Sequence, residues 1–373
     1  MIIKNTSFEE LQKEVIQEGK KIVIFGAGVL GIVTTAYILK NYQLLSLVEC
    51  YVDNDLHKQK EGVIIDGHEY KVYDGSFLKE IKSDDVVLIL AVSRCENLIK
   101  TFDTYENLDE CLCYVMPMMC IDNFREEKAY ANIKRTTEPI IPKTINYIWL
   151  GGKKIPRQLE KCIDSWKKYC PEYQIVRWDE NNYDINANLY TKEACQEKAY
   201  GFAPDYMRLD ILYRNGGIYL DTDVEIIRSL DDLLYQEAFC GIEKWQTLNF
   251  GGCSGAQKGS KAIKIFLDAR EDVHFKRKDG SLNMDTCGLI DTRTAIAMGY
   301  KLNGKLQKLS GMTIYPYDFF HPYDYMSGRL HKTCNTFSIH HFNGGWLNEE
   351  LRKENELIAE KYTLLEKRAS NFE

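Results

Sequence analysis

The stretch "YRNGGIYLDTDVEI", residues 213–226, places Asp221 and Asp223 at the end of an apolar run, straight after a Gly-Gly turn. Carboxylates are costly to desolvate unless water, a basic side chain or a metal meets them. If the segment is extended, residues two apart point the same way, so both carboxylates share one face and Thr222 takes the other. Two hard oxygen donors on one face suit Mg²⁺ or Mn²⁺, particularly when a diphosphate adds further oxygens. The preceding "GGIYL" reads as a turn and an apolar strand that would carry the pair rigidly to a cleft edge. Upstream, Asp205 and Arg208 are three apart and Asp210 and Arg214 four apart, spacings that share a helix face; the plainer reading is two surface salt bridges. Downstream, "SIHHFNGGW", 338–346, ends a strand with His340 and His341. Paired histidines are more often structural than ligating, yet a neutral imidazole is a suitable extra metal ligand.

Working outward, "PKTINYIWLGG", 142–152, reads as a strand ending in Gly-Gly, followed by a helical "RQLEKCIDSWKKYCP" and a strand "YQIVRWD". The first 125 residues also alternate strand and helix signals. Ser7 or Thr6 with Glu9 and Glu10 can cap a first helix. "KIVIFGAGVLG" is a buried strand entering a Gly-rich turn, with further strands at "SLVECYV", "DDVVLILAV" and "CLCYVMP". Asp66-Gly67 marks a hairpin. Such alternation implies a small parallel α/β layer. Gly26, Gly28 and Gly31 form G-x-G-x-x-G between strand and helix, and Asp53 stands at the end of the next strand, where a ribose-binding acid would sit. The competing reading is a tight turn that needs glycine for packing. The polar segment around residues 123–137 marks a boundary. The expected organisation is an α/β domain over 1–125, a linker over 126–140, a second α/β domain over 141–350 and an amphipathic C-terminal helix over 351–373.

Over 373 residues the chain is 45% hydrophobic and carries a net charge of −7. That is ample for two cores and argues against a nucleic-acid partner, which calls for a basic patch. None of the twelve cysteines forms a C-x-x-C pair, so a structural zinc site is not expected. "MIIKNTSFEELQKE" lacks a basic-then-apolar leader, and no run of about 18 apolar residues occurs. The expectation is a cytoplasmic protein with free, mostly buried thiols.

Four ordered segments, "PKTINYIWLGG", "AYGFAPDYMRLDILYRNGGIYLDTDVEI", "IYPYDFFHP" and "SIHHFNGGW", together resemble the DxD sugar-binding glycosyltransferases of family 32. These include capsular-polysaccharide transferases and yeast mannosyltransferases, with the glucosylating domains of large clostridial toxins as relatives. The resemblance spans about residues 141–350. It implies a GT-A fold behind a Rossmann-like module, a nucleoside-diphosphate-sugar donor (UDP-hexose by family frequency), Mn²⁺ or Mg²⁺, and retention at the anomeric carbon. The implied acceptor is a glycan or lipid-linked oligosaccharide, which would bring the protein to the inner membrane face. Position by position, it implies that Trp149 stacks on the donor base and that Asp205, Arg208 and Tyr219 hold ribose and sugar. Asp221 would reach the ribose or the metal through water, Asp223 and His341 would bind the metal, and Trp346 would meet the diphosphate. Gly345 departs from the family serine at that place, which bears on leaving-group contact. "TCGLIDTR" falls where acceptor contacts are expected, with Asp291 its acid. Three other functions compete: a non-catalytic nucleotide-sugar sensor, an NAD-dependent oxidoreductase working through the Gly-rich turn, and a structural assembly protein.

Overall fold

A computed structural model describes residues 1–93, 95–124, 128–130, 132–283, 285–343 and 357–370. The chain divides into two compact units: Met1–Arg125 with Met326–Gly328 and Glu354–Glu373, and Glu126–Tyr325 with Arg329–Lys353.

The first unit is built on a six-stranded, all-parallel sheet. Its order is Ile2–Lys4, Leu112–Val115, Val86–Leu90, Lys21–Phe25, Val48–Val52, Val72–Tyr73. The central strands are runs of Val, Ile and Leu with almost no exposure, as strands covered on both faces must be. The strand order reverses between Lys21–Phe25 and Val86–Leu90, and such a switch point opens a crevice at the carboxyl edge of the sheet. The Gly-rich turn lies at that edge. Ser7 caps the first helix, Phe8–Gln17, by accepting from the Glu10 N–H at 3.1 Å. The edge strand Ile2–Lys4, too short to show a pattern, carries no signal in the sequence. Asp66 and Gly67 both take positive φ between the antiparallel Val63–Ile65 and His68–Tyr70, as a two-residue hairpin requires. The described C-terminal helix is Ile358–Ser370; it buries Ile358, Tyr362 and Leu365, and its Arg368 pairs with Asp103 at 2.6 Å.

The second unit holds a mixed sheet of eight strands. Gln174–Trp178, Thr144–Ile148 and Gly217–Tyr219 run parallel at one side. Ser254–Ala256 then pairs antiparallel with both Gly217–Tyr219 and Ala238–Ile242, and Met312–Tyr315 lies parallel beyond. The helix Pro204–Asn215 starts with proline in its first turn and stops at Gly216. Gly216 and Gly217 both have positive φ, and a Cβ on either would approach backbone atoms to 2.8 Å or less. Only glycine can turn the chain here from helix to strand. The helix Arg157–Tyr169 inserts fully buried Trp166 into the core, and its indole N–H donates to the Val224 carbonyl at 2.7 Å. Residues 126–140 were expected to be a linker, but part of this segment is docked on the second unit. Ile133 joins the unit's core, and the N–H groups of Arg135 and Thr136 donate to the Tyr235 carbonyl at 2.8 and 2.9 Å. The apolar side chain outweighs the polar composition around it.

Candidate functional site

The strand Gly217–Tyr219 ends before the two aspartates, and the chain does not continue extended through them. The Val224 N–H donates back to the Asp221 carbonyl at 3.1 Å, closing a turn over residues 221–224. The alternation expected for an extended segment is therefore replaced by a bend, and the bend brings the two carboxylates together. Beyond it, Val224–Ile226 pairs antiparallel with Ser338–His340, Val224 lying opposite His340.

That register decides which histidine meets the aspartates. His340 Nε2 lies 3.3 Å from Asp223 Oδ1. His341, expected at the metal, instead turns its Nε2 to Glu225 at 3.0 Å. Successive side chains leave a strand on opposite faces, so one of the two histidines must point away, and the one that faces Asp223 is His340. Ligand atoms of Asp221, Asp223 and His340 all lie within 4.8 Å of one another. Two carboxylate oxygens and one imidazole nitrogen form a donor set able to hold a divalent cation.

The surroundings fix each group. Asp223 accepts from the Asn343 backbone N–H at 2.9 Å. Burial opposes its charge, but His340 and these N–H bonds win and bring its pKa down to about 2. Burial also opposes a charged His340, yet the neighbouring carboxylates, Asp223 first, raise its pKa above the ordinary histidine value. Asp221 is held by the Tyr219 hydroxyl, which donates at 2.8 Å, and by its own N–H, which donates to the Gly251 carbonyl at 2.8 Å. Arg208 reaches Asp205 at 3.2 Å and Asp221 at 3.6 Å. Asp205 and Arg208 are thus a buried pair aimed at the site, not the surface bridge that spacing alone allowed. Burial opposes the guanidinium charge, and Asp221, Tyr219 and Asp205 around it keep it protonated. Removing one member of such a buried set leaves the others uncompensated, at a cost of about 3–5 kcal/mol. Asp210 behaves differently: it pairs with the exposed Arg214 at 2.8 Å and accepts from the Tyr183 hydroxyl at 2.8 Å.

Residues the sequence reading passed over complete the floor. A Cβ on Gly251 would stand 2.0 Å from Asp221 Oδ2, and one on Gly252 would stand 2.0 Å from His321 Nε2. The N–H groups of both glycines donate to Asn249 Oδ1, at 2.7 and 3.1 Å. The Gly-Gly pair in "LNFGGC" was the available signal. Burial and the neighbouring His340 push the His321 pKa well below its usual value, so its imidazole is neutral.

Trp149 follows the strand Thr144–Ile148, parallel to Gly217–Tyr219, and so stands on the carboxyl edge of the sheet that also carries Asp221. It is half-buried, and its indole N–H donates to the Lys153 carbonyl at 2.6 Å. Trp346 and Gly345 lie outside the described residues. Asp291, expected near an acceptor, is instead buried against Arg270 at 2.8 Å and is spent on that ion pair. In the first unit, a Cβ on Gly26 would meet the Ala91 carbonyl oxygen at 2.6 Å, and one on Gly31 would meet that of Gly26 at 1.8 Å, whereas Gly28 faces open space. Asp53 accepts from the N–H groups of Ala27 at 2.7 Å and Asp55 at 2.9 Å, so its carboxylate braces the turn.

Residues 156–240 match the family model described as "Glycosyltransferase sugar-binding region containing DXD motif". Over 135 residues the chain is 32% identical to inositol phosphoceramide mannosyltransferase 3 of Schizosaccharomyces pombe, an alignment covering 34% of this chain and 35% of that protein. Over 187 residues it is 23% identical to subversion of eukaryotic traffic protein A of Legionella pneumophila, covering 42% and 29% respectively. The chain thus spans about a third of the length of these curated relatives. Among solved structures, the PaToxG glycosyltransferase aligns with a TM-score of 0.34 and 18% identity, over 44% of this chain and 75% of that one.

Proposed function

We propose that this protein is a metal-dependent glycosyltransferase of the family 32 type, with a GT-A catalytic unit. In this reading it moves a hexose from a nucleoside-diphosphate sugar, UDP-linked by preference, to a glycan or lipid-linked acceptor, with retention of configuration. The observation that carries the reading is the convergence of Asp221, Asp223 and His340 beside the buried Asp205–Arg208 pair, next to a segment that matches a DxD sugar-binding region.

Asp221, Asp223 and His340 would hold Mn²⁺ or Mg²⁺. That ion, when bound, supplies Lewis-acid neutralisation of charge on the departing diphosphate. The other roles fall to the chain itself. Tyr219 and Arg208 orient Asp221, while Arg208 and Asp205 present a fixed donor and acceptor to sugar and ribose hydroxyls. Trp149 offers its ring to the base from the same sheet edge, and Trp346 an N–H to the leaving group. Because Tyr219, Arg208, Asp205 and Asp221 hold one another before the substrate arrives, little reorganisation of these groups is left for the transition state. In this reading the two aspartates would be spent on the metal rather than on flanking the sugar as a nucleophile and acid pair. Retention then follows from attack by the acceptor hydroxyl on the face that the diphosphate leaves. Capsular or surface polysaccharide synthesis at the cytoplasmic membrane face is the matching setting. The crevice beside Gly26, Gly28 and Gly31 in the first unit is a nucleotide-binding candidate under the same reading.

The test is nucleoside diphosphate release from a panel of UDP- and GDP-sugars, with Mn²⁺ or with chelator. GDP-mannose belongs in the panel because one similar protein is named a mannosyltransferase. One donor is expected to be hydrolysed slowly, with the activity lost to chelator and reduced at least about 100-fold in Asp223→Asn. If no donor is cleaved and none is bound by calorimetry, the reading fails.

A further inference from the structure

The net charge of −7 hides a local excess of the opposite sign. Residues 153–168, "KKIPRQLEKCIDSWKK", carry six Lys and Arg side chains against two acids. They form no continuous basic run, because they are spread over a loop and a helix, and folding gathers them.

Successive residues of a helix are turned by about 100°, so in Arg157–Tyr169 the side chains of Arg157, Lys161 and Lys168 fall within about 40° of one another, opposite the buried Trp166. All three are exposed, as are Lys153 and Lys154 in the preceding loop. Asp164, the acid on this face, pairs with Lys167 at 2.9 Å, and Glu160 is half-buried. Among the described residues, no carboxylate lies within ion-pair distance of Lys153, Lys154, Arg157, Lys161 or Lys168.

Helix stability does not account for this arrangement. The first turn of a helix is its positive end and favours acids. Here Lys153, Lys154 and Arg157 stand at or just before it, and the cap residue, Pro156, offers no side-chain acceptor. Cations in that place repel one another and the helix dipole, whereas an anion from outside the chain reverses the sign of the interaction.

The cations also sit on a fixed support beside the candidate site. Ile155 packs against the core of the second unit, the Gly151 N–H donates to Glu180, and the Trp149 indole donates to the Lys153 carbonyl. The Gln158 amide donates to Asn343 Oδ1 at 3.2 Å, and the Asn343 N–H donates to Asp223. The start of the basic helix is thus two hydrogen bonds from the candidate metal group.

A small anion would call for donors that converge on one point. Unpaired cations laid along a 13-residue helix, about 20 Å long, match an extended anionic surface instead. Clusters of about four to eight Lys and Arg on an amphipathic helix have the charge to hold anionic lipid. We propose that the loop at 153–156 and the exposed face of Arg157–Tyr169 form a docking surface for an anionic phospholipid bilayer. The binding rests on the charge arrangement alone. Its use, bringing the site to a lipid-linked acceptor, rests on the glycosyltransferase reading.

The experiment is co-sedimentation of the full chain with phosphatidylcholine vesicles, with and without phosphatidylglycerol. It is run at about 0.1 M and about 1 M salt, between which the Debye length falls from about 10 Å to about 3 Å. Binding is expected to the anionic vesicles at low salt only. The triple variant Lys154→Gln, Lys161→Gln, Lys168→Gln should lower the partition coefficient about 100-fold, at about fivefold for each cation. Lys301→Gln, Lys305→Gln, Lys308→Gln removes three exposed lysines elsewhere in the same unit and should change it by no more than about twofold. Both variants are checked for an unchanged thermal midpoint. No binding to anionic vesicles, equal binding to phosphatidylcholine alone, equal loss in the two variants, or capture of a DNA duplex in place of vesicles overturns the proposal. UDP binding with Mn²⁺, measured by calorimetry without vesicles, separates the two readings. A chain that binds UDP and ignores anionic vesicles overturns the docking surface alone, whereas one that binds the vesicles and ignores UDP keeps the surface and removes the transferase.

Discussion

At the level of single residues, the pairing of Asp223 with His340 makes the site sensitive to pH, and the signs can be worked out. The Asp223 pKa is lowered to about 2, so its contribution is present above the unfolded value near 4 and is lost as the pH falls towards 2. A shift of this size corresponds to about 2 kcal/mol. The His340 pKa is raised, so its contribution is complete below the unfolded value of about 6.5 and disappears as the pH rises through the folded value. Without metal, the pair therefore stabilises the protein between roughly pH 4 and the raised histidine pKa. A metal competes for the nitrogen that holds this proton. Mn²⁺ affinity is expected to rise with pH and to release a proton below the raised histidine pKa, which calorimetry in buffers of different ionisation enthalpy measures. Affinity independent of pH across this range would remove His340 from the ligand set. The same titration distinguishes neighbours: His340→Ala should weaken Mn²⁺ binding at least about tenfold, and His341→Ala by no more than about twofold. The reverse order would restore His341.

At the level of elements, the site depends on places where backbone passes close to a functional side chain. Gly251→Ala would drive a methyl group into Asp221, and Gly252→Ala would drive one into His321. Each is expected to destabilise the protein by about 1–3 kcal/mol in thermal or denaturant unfolding, and Gly251→Ala also to weaken Mn²⁺ binding; an unchanged unfolding midpoint would mean that the contact is not as close as described. The Gly-rich turn of the first unit offers an internal comparison. Gly31→Ala collides with the Gly26 carbonyl and should destabilise, whereas Gly28→Ala meets open space and should be neutral or stabilising by up to about 1 kcal/mol. Gly28 is thus the position where a phosphate could approach. A nucleotide protected from binding by Gly28→Val in an otherwise stable protein would support a live crevice.

For the whole molecule, the C-terminal helix belongs to the first unit although it follows the second in sequence. Deleting residues 357–373 uncovers the sites of Ile358, Tyr362 and Leu365 and breaks the Arg368–Asp103 pair. At about 1.5–3 kcal/mol for each buried apolar side chain, the first unit should melt at a clearly lower temperature in scanning calorimetry, and an unchanged midpoint would show that the helix is not part of its core. Much of the architecture was legible along the chain because it depends on local patterns. The apolar runs at 21–25 and 86–90, the Asp66-Gly67 turn and the proline-started, glycine-ended helix 204–215 each carry their own signal within a few residues. The acidic motif and the Asp205–Arg208 spacing were legible for the same reason. What only tertiary structure decided was how distant segments meet. The register of Val224–Ile226 against Ser338–His340 selects His340 over His341. The turn at 221–224 brings together carboxylates that an extended strand would merely have aligned, and burial spends Asp291 on Arg270. The first depends on which surface a side chain meets after more than a hundred residues of intervening chain, the second on a backbone hydrogen bond between residues 221 and 224 that the D-x-D spacing does not specify, and the third on an ion pair that exists only in the folded core. The sequence by itself determined the chemical inventory, and the folded packing determined which members of that inventory face one another.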